Sequence, residues 1–219
     1  MLIDSNFIQK FSNDMIFVKA NAEKADSLTK EEYKVSGYPT FVITDSKGVE
    51  IDRIVGYMPP EAFLATVDDY MNGIGTLSAL LAEAEDSTDR TLFFTIADKY
   101  KYSGRPEEAT TWYTRIINEG EPTDSLSGEA SVSLADMKRR SKDYDEAIAA
   151  YKQIKNDFKG TMFEEAGGFY VAYINMIKGD SATAIVEFKN FIKEFPDAED
   201  VDYANRKIKE LSGESTESN

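Results

Sequence analysis

The chain has 219 residues, 42% hydrophobic and 12% aromatic, and its formal net charge at pH 7 is −15. This composition excludes general disorder, because it can supply a packed core. A surface this negative repels phosphate backbones and anionic lipid, so we expect neither a nucleic-acid partner nor binding to a membrane surface.

The chain contains neither cysteine nor histidine. Disulfides, thiolate nucleophiles, Cys/His metal sites and Ser-His or Cys-His catalytic pairs are therefore excluded. We predict no catalytic, cofactor-binding or metal-binding residue. No apolar run is long enough to span a bilayer, and no secretory signal is evident. We expect a soluble protein of the cytoplasm or periplasm, and the sequence leaves the compartment and the oligomeric state open.

The first 73 residues mix strand and helix patterns. The apolar run at residues 15–19 predicts a buried strand, and residues 26–36 are consistent with a short helix. Thr40–Thr44 and residues 49–55 predict an antiparallel hairpin around the turn Asp-Ser-Lys-Gly, with Val49 and Ile51 apolar and Glu50 and Asp52 as their polar neighbours. A helix is expected over residues 61–71, after two prolines.

Residues 37–41 read Gly-Tyr-Pro-Thr-Phe and lead into the first strand of this hairpin. With the hairpin and the helix that follow, they resemble the second half of a thioredoxin fold. The resemblance implies a cis proline at Pro39 and an extended polypeptide paired with the backbone at Tyr38. The predicted peptide-binding loop is therefore Gly37, Tyr38, Pro39 and Thr40.

The thioredoxin family also has a strand and a Cys-x-x-Cys motif ahead of this segment, and neither is present. Residues 1–11 resemble the end of the cysteine-bearing helix, and the missing strand would lie between the strands predicted at residues 15–19 and at Thr40–Thr44. Its loss leaves backbone donors and acceptors unpaired. We expect a truncated chain whose motif lies upstream of Met1; a rearranged sheet and a strand donated by another chain are the alternatives.

A connecting helix is predicted over residues 75–85, followed by a turn and a helix N-cap at residues 86–89. Helical periodicity then continues to residue 211. Three segments share a turn, an alanine and an aromatic residue four positions later, 38 and then 37 residues apart. The pairs are Ala109 and Tyr113, Ala147 and Tyr151, and Ala184 and Phe188.

Such a period is typical of stacked two-helix units and resembles the tetratricopeptide repeat. The small residue of the family's first helix matches Ala97, Ala135 and Ala172, whereas its closing proline matches only Pro196. The repeated alanines and aromatics are predicted to be structural, because alanine lets two helices approach closely. We therefore predict an α/β segment followed by an all-α, right-handed array of helical hairpins.

A partner is expected to bind the inner faces of the first helices of the hairpins. The predicted groove residues are Phe94, Asp98, Lys101, Val132, Asp136, Arg139, Phe169, Tyr173 and Met176. Packing against neighbouring helices is an equally good explanation of Phe94, Phe169 and Tyr173.

The predicted organisation is a thioredoxin-like segment at residues 1–73, a linker helix and turn at 74–89, repeats with a capping helix at 90–211 and a disordered tail at 212–219. The predicted function is protein–protein interaction with a partner or client polypeptide, by analogy with bacterial chaperone-like proteins that join the same two parts. The alternatives are a truncated thiol-disulfide oxidoreductase, which is an enzyme only when the upstream cysteines are present, and a purely structural scaffold.

Overall fold

The computed structural model describes residues 10–11, 15–21, 24, 31–35, 37–121 and 123–213. The chain divides into two compact units, Met1–Ala109 and Thr110–Asn219. Each unit has its own hydrophobic core. The helix predicted over residues 26–36 and the tail at 214–219 lie wholly or largely outside the described residues.

The first unit contains the predicted hairpin. Strands β1 (Thr40–Thr44) and β2 (Glu50–Val55) pair antiparallel, with Phe41 opposite Ile54. The connecting turn closes on Asp45, whose Oδ1 accepts hydrogen bonds from the backbone N–H groups of Lys47 at 2.8 Å and Val49 at 2.9 Å. Gly48 adopts φ +83°, a conformation that favours glycine and explains its place in the turn.

Helix α1 (Pro60–Met71) covers one face of this hairpin. Its buried residues Phe63 and Val67 pack with Ile43 and Ile54, and the rings of Phe41 and Phe63 meet edge to face at 4.7 Å between centroids. Proline at the first position of α1 leaves no intrahelical hydrogen bond unmade. The predicted order of strand, turn, strand and helix is confirmed.

The strand predicted at residues 15–19 is wrong. Residues 15–21 have no regular secondary structure, and Ile16 is 93% and Val18 77% exposed. Within the described part of the chain the sheet consists of β1 and β2 alone. The direct pairing of residues 15–19 with β1, which a rearranged sheet would need, is therefore not found there. An apolar run becomes a buried strand only beside a neighbour that completes its hydrogen-bond ladder.

The alternation of polar and apolar residues predicted over residues 49–55 is also wrong at two positions. Asp52 is 5% exposed and Val49 is 62% exposed, the reverse of the expected pattern. The register shifts between Ile43 and Thr44, so the alternation read from the turn does not continue through β2. The carboxylate of Asp52 consequently lies in the interior.

Helices α2 (Leu77–Glu83) and α3 (Arg90–Tyr102) complete the described elements that lie wholly within the first unit. They correspond to the predicted connecting helix and to the first helix of the first repeat. Asp89 caps α3 as predicted, since its Oδ1 accepts a hydrogen bond from the backbone N–H of Thr91 at 2.8 Å.

The rest of the described chain is helical, as the periodicity predicts. The helices are α4 (Pro106–Asn118), α5 (Ser125–Arg140), α6 (Tyr144–Asp157), α7 (Met162–Lys178), α8 (Ser181–Glu194) and α9 (Val201–Ser212). From α5 onward each helix packs against the next, and α5 also contacts α7. The first helices of successive hairpins are thus neighbours, as in a stacked array.

Small residues bring the helices of the second unit together. Ala147, Tyr151, Ala184 and Phe188 are fully buried, which confirms their structural role. Gly167 lies where α7 meets α6, and a Cβ there would be 2.7 Å from the carbonyl oxygen of Tyr151. Within the described residues no helix combines the length and the apolarity needed to cross a membrane.

Candidate functional site

The predicted peptide-binding loop is held from both sides. The Tyr38–Pro39 peptide bond is cis. The Thr40 hydroxyl donates a hydrogen bond to the carbonyl oxygen of Gly37 at 2.7 Å, and the backbone N–H of Gly56 donates to the carbonyl oxygen of Pro39 at 2.8 Å. The Tyr38 side chain is 63% exposed, so the loop presents an aromatic ring from a fixed backbone.

A cleft of about 310 Å³ opens beside this loop. Its walls are residues 15–20, residues 38–43 and two side chains of α1, Phe63 and Val67. Lys19 is the only charged residue among them. In a chain with a net charge of −15, this lining is distinctly apolar.

The groove residues predicted on α3 belong to the first unit. Phe94 and Asp98 line a cavity of about 260 Å³ together with Val55 of β2 and Tyr70 of α1. Lys101 Nζ donates a hydrogen bond to Asp98 Oδ1 at 2.5 Å. These α3 residues therefore lie beside the hairpin and α1.

The groove residues predicted on α5 lie in the second unit. Val132 is half-buried against the core cluster around Tyr151. The carboxylate of Asp136 accepts two charged hydrogen bonds, from Nε of Arg139 at 2.7 Å and from Nε of Arg140 at 2.6 Å. Two guanidinium groups of α5 therefore share one carboxylate.

The groove residues predicted on α7 pack within a ring cluster. Phe169 contacts Phe191 and Tyr203 at 5.6 Å between ring centroids, and it stacks on Tyr173 at 6.1 Å. Met176 packs against the same cluster. Packing therefore accounts for Phe169, while Tyr173 also extends the cluster towards Tyr203 on α9, with 6.4 Å between centroids.

Two tyrosines of this face are not among the predicted site residues. Tyr170 stacks on Tyr151 at 4.7 Å, and burial raises the pKa of its phenol. Tyr203 lies on α9 with Arg206 and Lys207 at 5.3 and 5.5 Å from its ring, and burial raises its pKa as well. Tyr170 directly follows a predicted groove residue in the sequence. Tyr203 carries no such signal, because the sequence identifies α9 only as a cap.

A buried ionic network in the first unit was also missed. Asp52 accepts hydrogen bonds from Lys99 Nζ at 2.8 Å and from the backbone N–H of Leu77 at 2.7 Å. Lys99 Nζ donates as well to the hydroxyl of Tyr70 at 2.9 Å. Arg53, 7% exposed, donates to the backbone carbonyl of Tyr102 at 2.9 Å. The network ties β2 to α1, α2 and α3 and serves structure.

Family comparisons agree with both parts of this description. Residues 4–71 match the model of a thioredoxin-like domain, and residues 129–161, which span α5 and α6, match that of a tetratricopeptide repeat. The chain contains a thioredoxin-like domain and a tetratricopeptide repeat. No curated protein matches the chain.

The tetratricopeptide repeat points to protein partners, because its stacked helices form extended binding surfaces. The whole chain, including its thioredoxin-like domain, contains no cysteine. Among the residues that the structure describes, no group of three or more carboxylates could hold a metal ion.

Proposed function

We propose that the protein is an interaction module that binds a polypeptide through the face formed by α5, α7 and α9. The observation that carries this proposal is that half-buried tyrosines and cationic side chains meet on these three helices. Tyr173 of α7 packs beside Tyr203 of α9, with 6.4 Å between ring centroids, and Arg206 and Lys207 of α9 lie 5.3 and 5.5 Å from the ring of Tyr203. Helix α5, which contacts α7, contributes Arg139. Tyrosine and arginine dominate the energetics of protein interfaces.

Tyr173 and Arg139 are the proposed anchors, and Asp136, Val132 and Met176 surround them. Arg139 is already oriented by Asp136, so little conformational entropy is lost when a partner carbonyl or carboxylate approaches it. Phe169 contributes by fixing the ring of Tyr173 rather than by touching the partner.

The loop at Pro39 supplies a second contact in this proposal. Gly37, Tyr38 and Thr40 would present the backbone to an extended segment of the same partner or client, in the mode of strand addition. The groove residues of α3, Phe94, Asp98 and Lys101, would add to recognition from the first unit. The net charge of −15 favours a partner with basic segments outside the anchored part.

The test is a peptide-display selection on the full chain, followed by fluorescence anisotropy with the enriched peptides. Arg139→Gln removes the proposed cationic anchor and Tyr173→Phe removes only a hydroxyl. Lys152→Gln neutralises an exposed cation of α6 in the same unit and is the matched control. We expect Arg139→Gln to weaken binding about tenfold, which corresponds to about 1.4 kcal/mol, and Lys152→Gln to leave it unchanged. Equal binding by all variants would reject the proposed face, and a selection that enriches no peptide would favour a passive scaffold.

A further inference from the structure

The hydroxyl of Tyr151, on α6, is a buried polar group that the proposed function has not used. The side chain of Tyr151 is fully buried, and among the residues that the structure describes its hydroxyl has no hydrogen-bond partner. Burial of an unpaired hydroxyl lowers the stability of the fold, and native proteins keep few such groups. A buried phenol without an acceptor is therefore a candidate recognition group.

The ring of Tyr151 extends from α6 to the side on which α5 and α7 meet. The carbonyl oxygen of Tyr151 lies beside Gly167, where α6 approaches α7. Its ring stacks on that of Tyr170 at 4.7 Å between centroids, and Val132 of α5 and Tyr173 of α7 pack against the same buried cluster. Tyr151 therefore forms part of the floor beneath the proposed binding face, and the ring of Tyr170 covers it.

Charged groups of α5 act on this phenol. Burial raises the pKa of Tyr151, the negative charge of Asp136 raises it further, and Arg139 and Arg140 lower it. Asp136 accepts hydrogen bonds from Nε of both arginines, and a carboxylate has about four acceptor positions, so it can still accept from a ligand. The face thus combines a buried donor with an acceptor whose charge acts on that donor.

We propose that the face of α5, α7 and α9 selects a partner segment with a primary amide, a glutamine or asparagine side chain, whose carbonyl oxygen accepts a hydrogen bond from the Tyr151 hydroxyl. The amide N–H₂ group donates to Asp136. A carboxylate is rejected because it would bring a second negative charge beside Asp136 and lose its hydration. An apolar side chain gains no hydrogen bond there.

The ring of Tyr170 must turn aside to admit the amide, and side-chain rearrangements of this kind are common at interfaces. The inference rests on the proposed function and names the chemistry of its partner. It predicts that removal of the Tyr151 hydroxyl changes which peptides bind, whereas removal of the Arg139 charge weakens binding of them all.

The test is a selection from a random displayed peptide library, run in parallel on the full chain, on Tyr151→Phe and on Tyr144→Phe. Tyr144→Phe is the matched control, because Tyr144 is a half-buried tyrosine of α6 packed against the same cluster. We expect the wild type and Tyr144→Phe to enrich glutamine or asparagine at one peptide position, and Tyr151→Phe to lose that preference.

Anisotropy titrations measure the preference on the enriched peptide. Glutamine is replaced by methionine, or asparagine by leucine, which keeps the size of the side chain and removes its amide. The replacement should weaken binding to the wild type and to Tyr144→Phe about tenfold, and binding to Tyr151→Phe by less than about twofold.

Urea denaturation without peptide gives an independent readout. Tyr151→Phe should be at least as stable as the wild type, and a clear loss of stability would overturn the inference by showing that the hydroxyl already has a partner in the free protein. Enriched peptides without an amide preference, or a preference that Tyr151→Phe retains, would overturn it as well, while the binding face itself stands if Arg139→Gln weakens binding. If no peptide is enriched, the proposed function fails and this inference fails with it.

Discussion

Two neighbouring glycines of α7 differ in what surrounds them, and this difference gives a quantitative prediction. A Cβ at Gly167 would lie 2.7 Å from Tyr151 O and 2.8 Å from both N and Cβ of Lys155. These atoms belong mainly to the backbone of α6, so they cannot move without moving that helix. A Cβ at Gly168 would meet the ring edge of Phe195 at 3.2 Å.

Both substitutions by alanine gain the same helix propensity, about 1 kcal/mol per residue. In Gly167→Ala, α6 and α7 must separate by ~0.7 Å to restore ordinary contact distances, and overpacking of this kind costs about 1–3 kcal/mol. In Gly168→Ala the ring needs to shift by only ~0.2 Å, so most of the gain in propensity remains. We expect Gly167→Ala to be about 2 kcal/mol less stable than Gly168→Ala.

The assay is urea denaturation of the full chain. Circular dichroism at 222 nm reports on all helices, and fluorescence reports on the single tryptophan, Trp112, in the second unit. The two variants serve as controls for each other, because they change the same atoms one residue apart. If Gly167→Ala is as stable as Gly168→Ala, α6 and α7 do not approach closely at this point, and the packing argument for the repeat fails.

Three further predictions concern buried polar groups. Asp52→Asn leaves Lys99 buried without its carboxylate and should lower the free energy of unfolding by about 3 kcal/mol, whereas Asp68→Asn, at an exposed ion pair, should cost less than about 1 kcal/mol in the same urea titration. Tyr151→Phe should raise the free energy of unfolding by about 1 kcal/mol, because the hydroxyl of Tyr151 is buried without a hydrogen-bond partner. A clear loss of stability in this variant would show that the hydroxyl has a hydrogen-bond partner. Burial raises the pKa of Tyr151 in the folded state above its ordinary value near 10, so stability should hold below about pH 10 and fall as the pH rises further. Thermal melts from pH 9 to pH 11 should show a shallower fall for Tyr151→Phe than for the wild type.

The helical array could be predicted because its signals are local. An alanine and an aromatic four residues apart recur at nearly constant spacing, and each pair is buried as the pattern requires, as for Ala147 and Tyr151. The hairpin could be predicted for the same reason, because Gly48 in the turn and the β-branched residues of β1 lie within a few positions of one another.

The errors come from partners distant in sequence. Asp52 looked like a solvent-facing residue because the lysine that neutralises it lies 47 residues further on. Residues 15–19 looked like a buried strand because composition indicates strand propensity and does not reveal whether a neighbouring strand is present.

For the candidate site, sequence register predicts only the helix on which each residue lies. Register correctly places Asp136, Arg139 and Tyr173 on the first helices of their hairpins, and it cannot tell whether a ring on such a helix turns towards a partner or towards its neighbours. The ring of Phe169 turns towards its neighbours, because it contacts Phe191 of α8 and Tyr203 of α9. Their positions follow from helix packing, which the sequence of α7 alone does not specify.

The ion pair between Asp52 and Lys99 constrains how such a protein can be assembled from parts. By sequence register α3 opens the helical array, yet its lysine neutralises a carboxylate of the hairpin. A recombination event that joined this array to a different sheet at residue 90 would keep Lys99 and lose Asp52. The buried lysine would then have no carboxylate to neutralise it. If the helical array of this protein is joined to another domain, α3 must therefore be transferred together with the hairpin, or Asp52 and Lys99 must both be replaced.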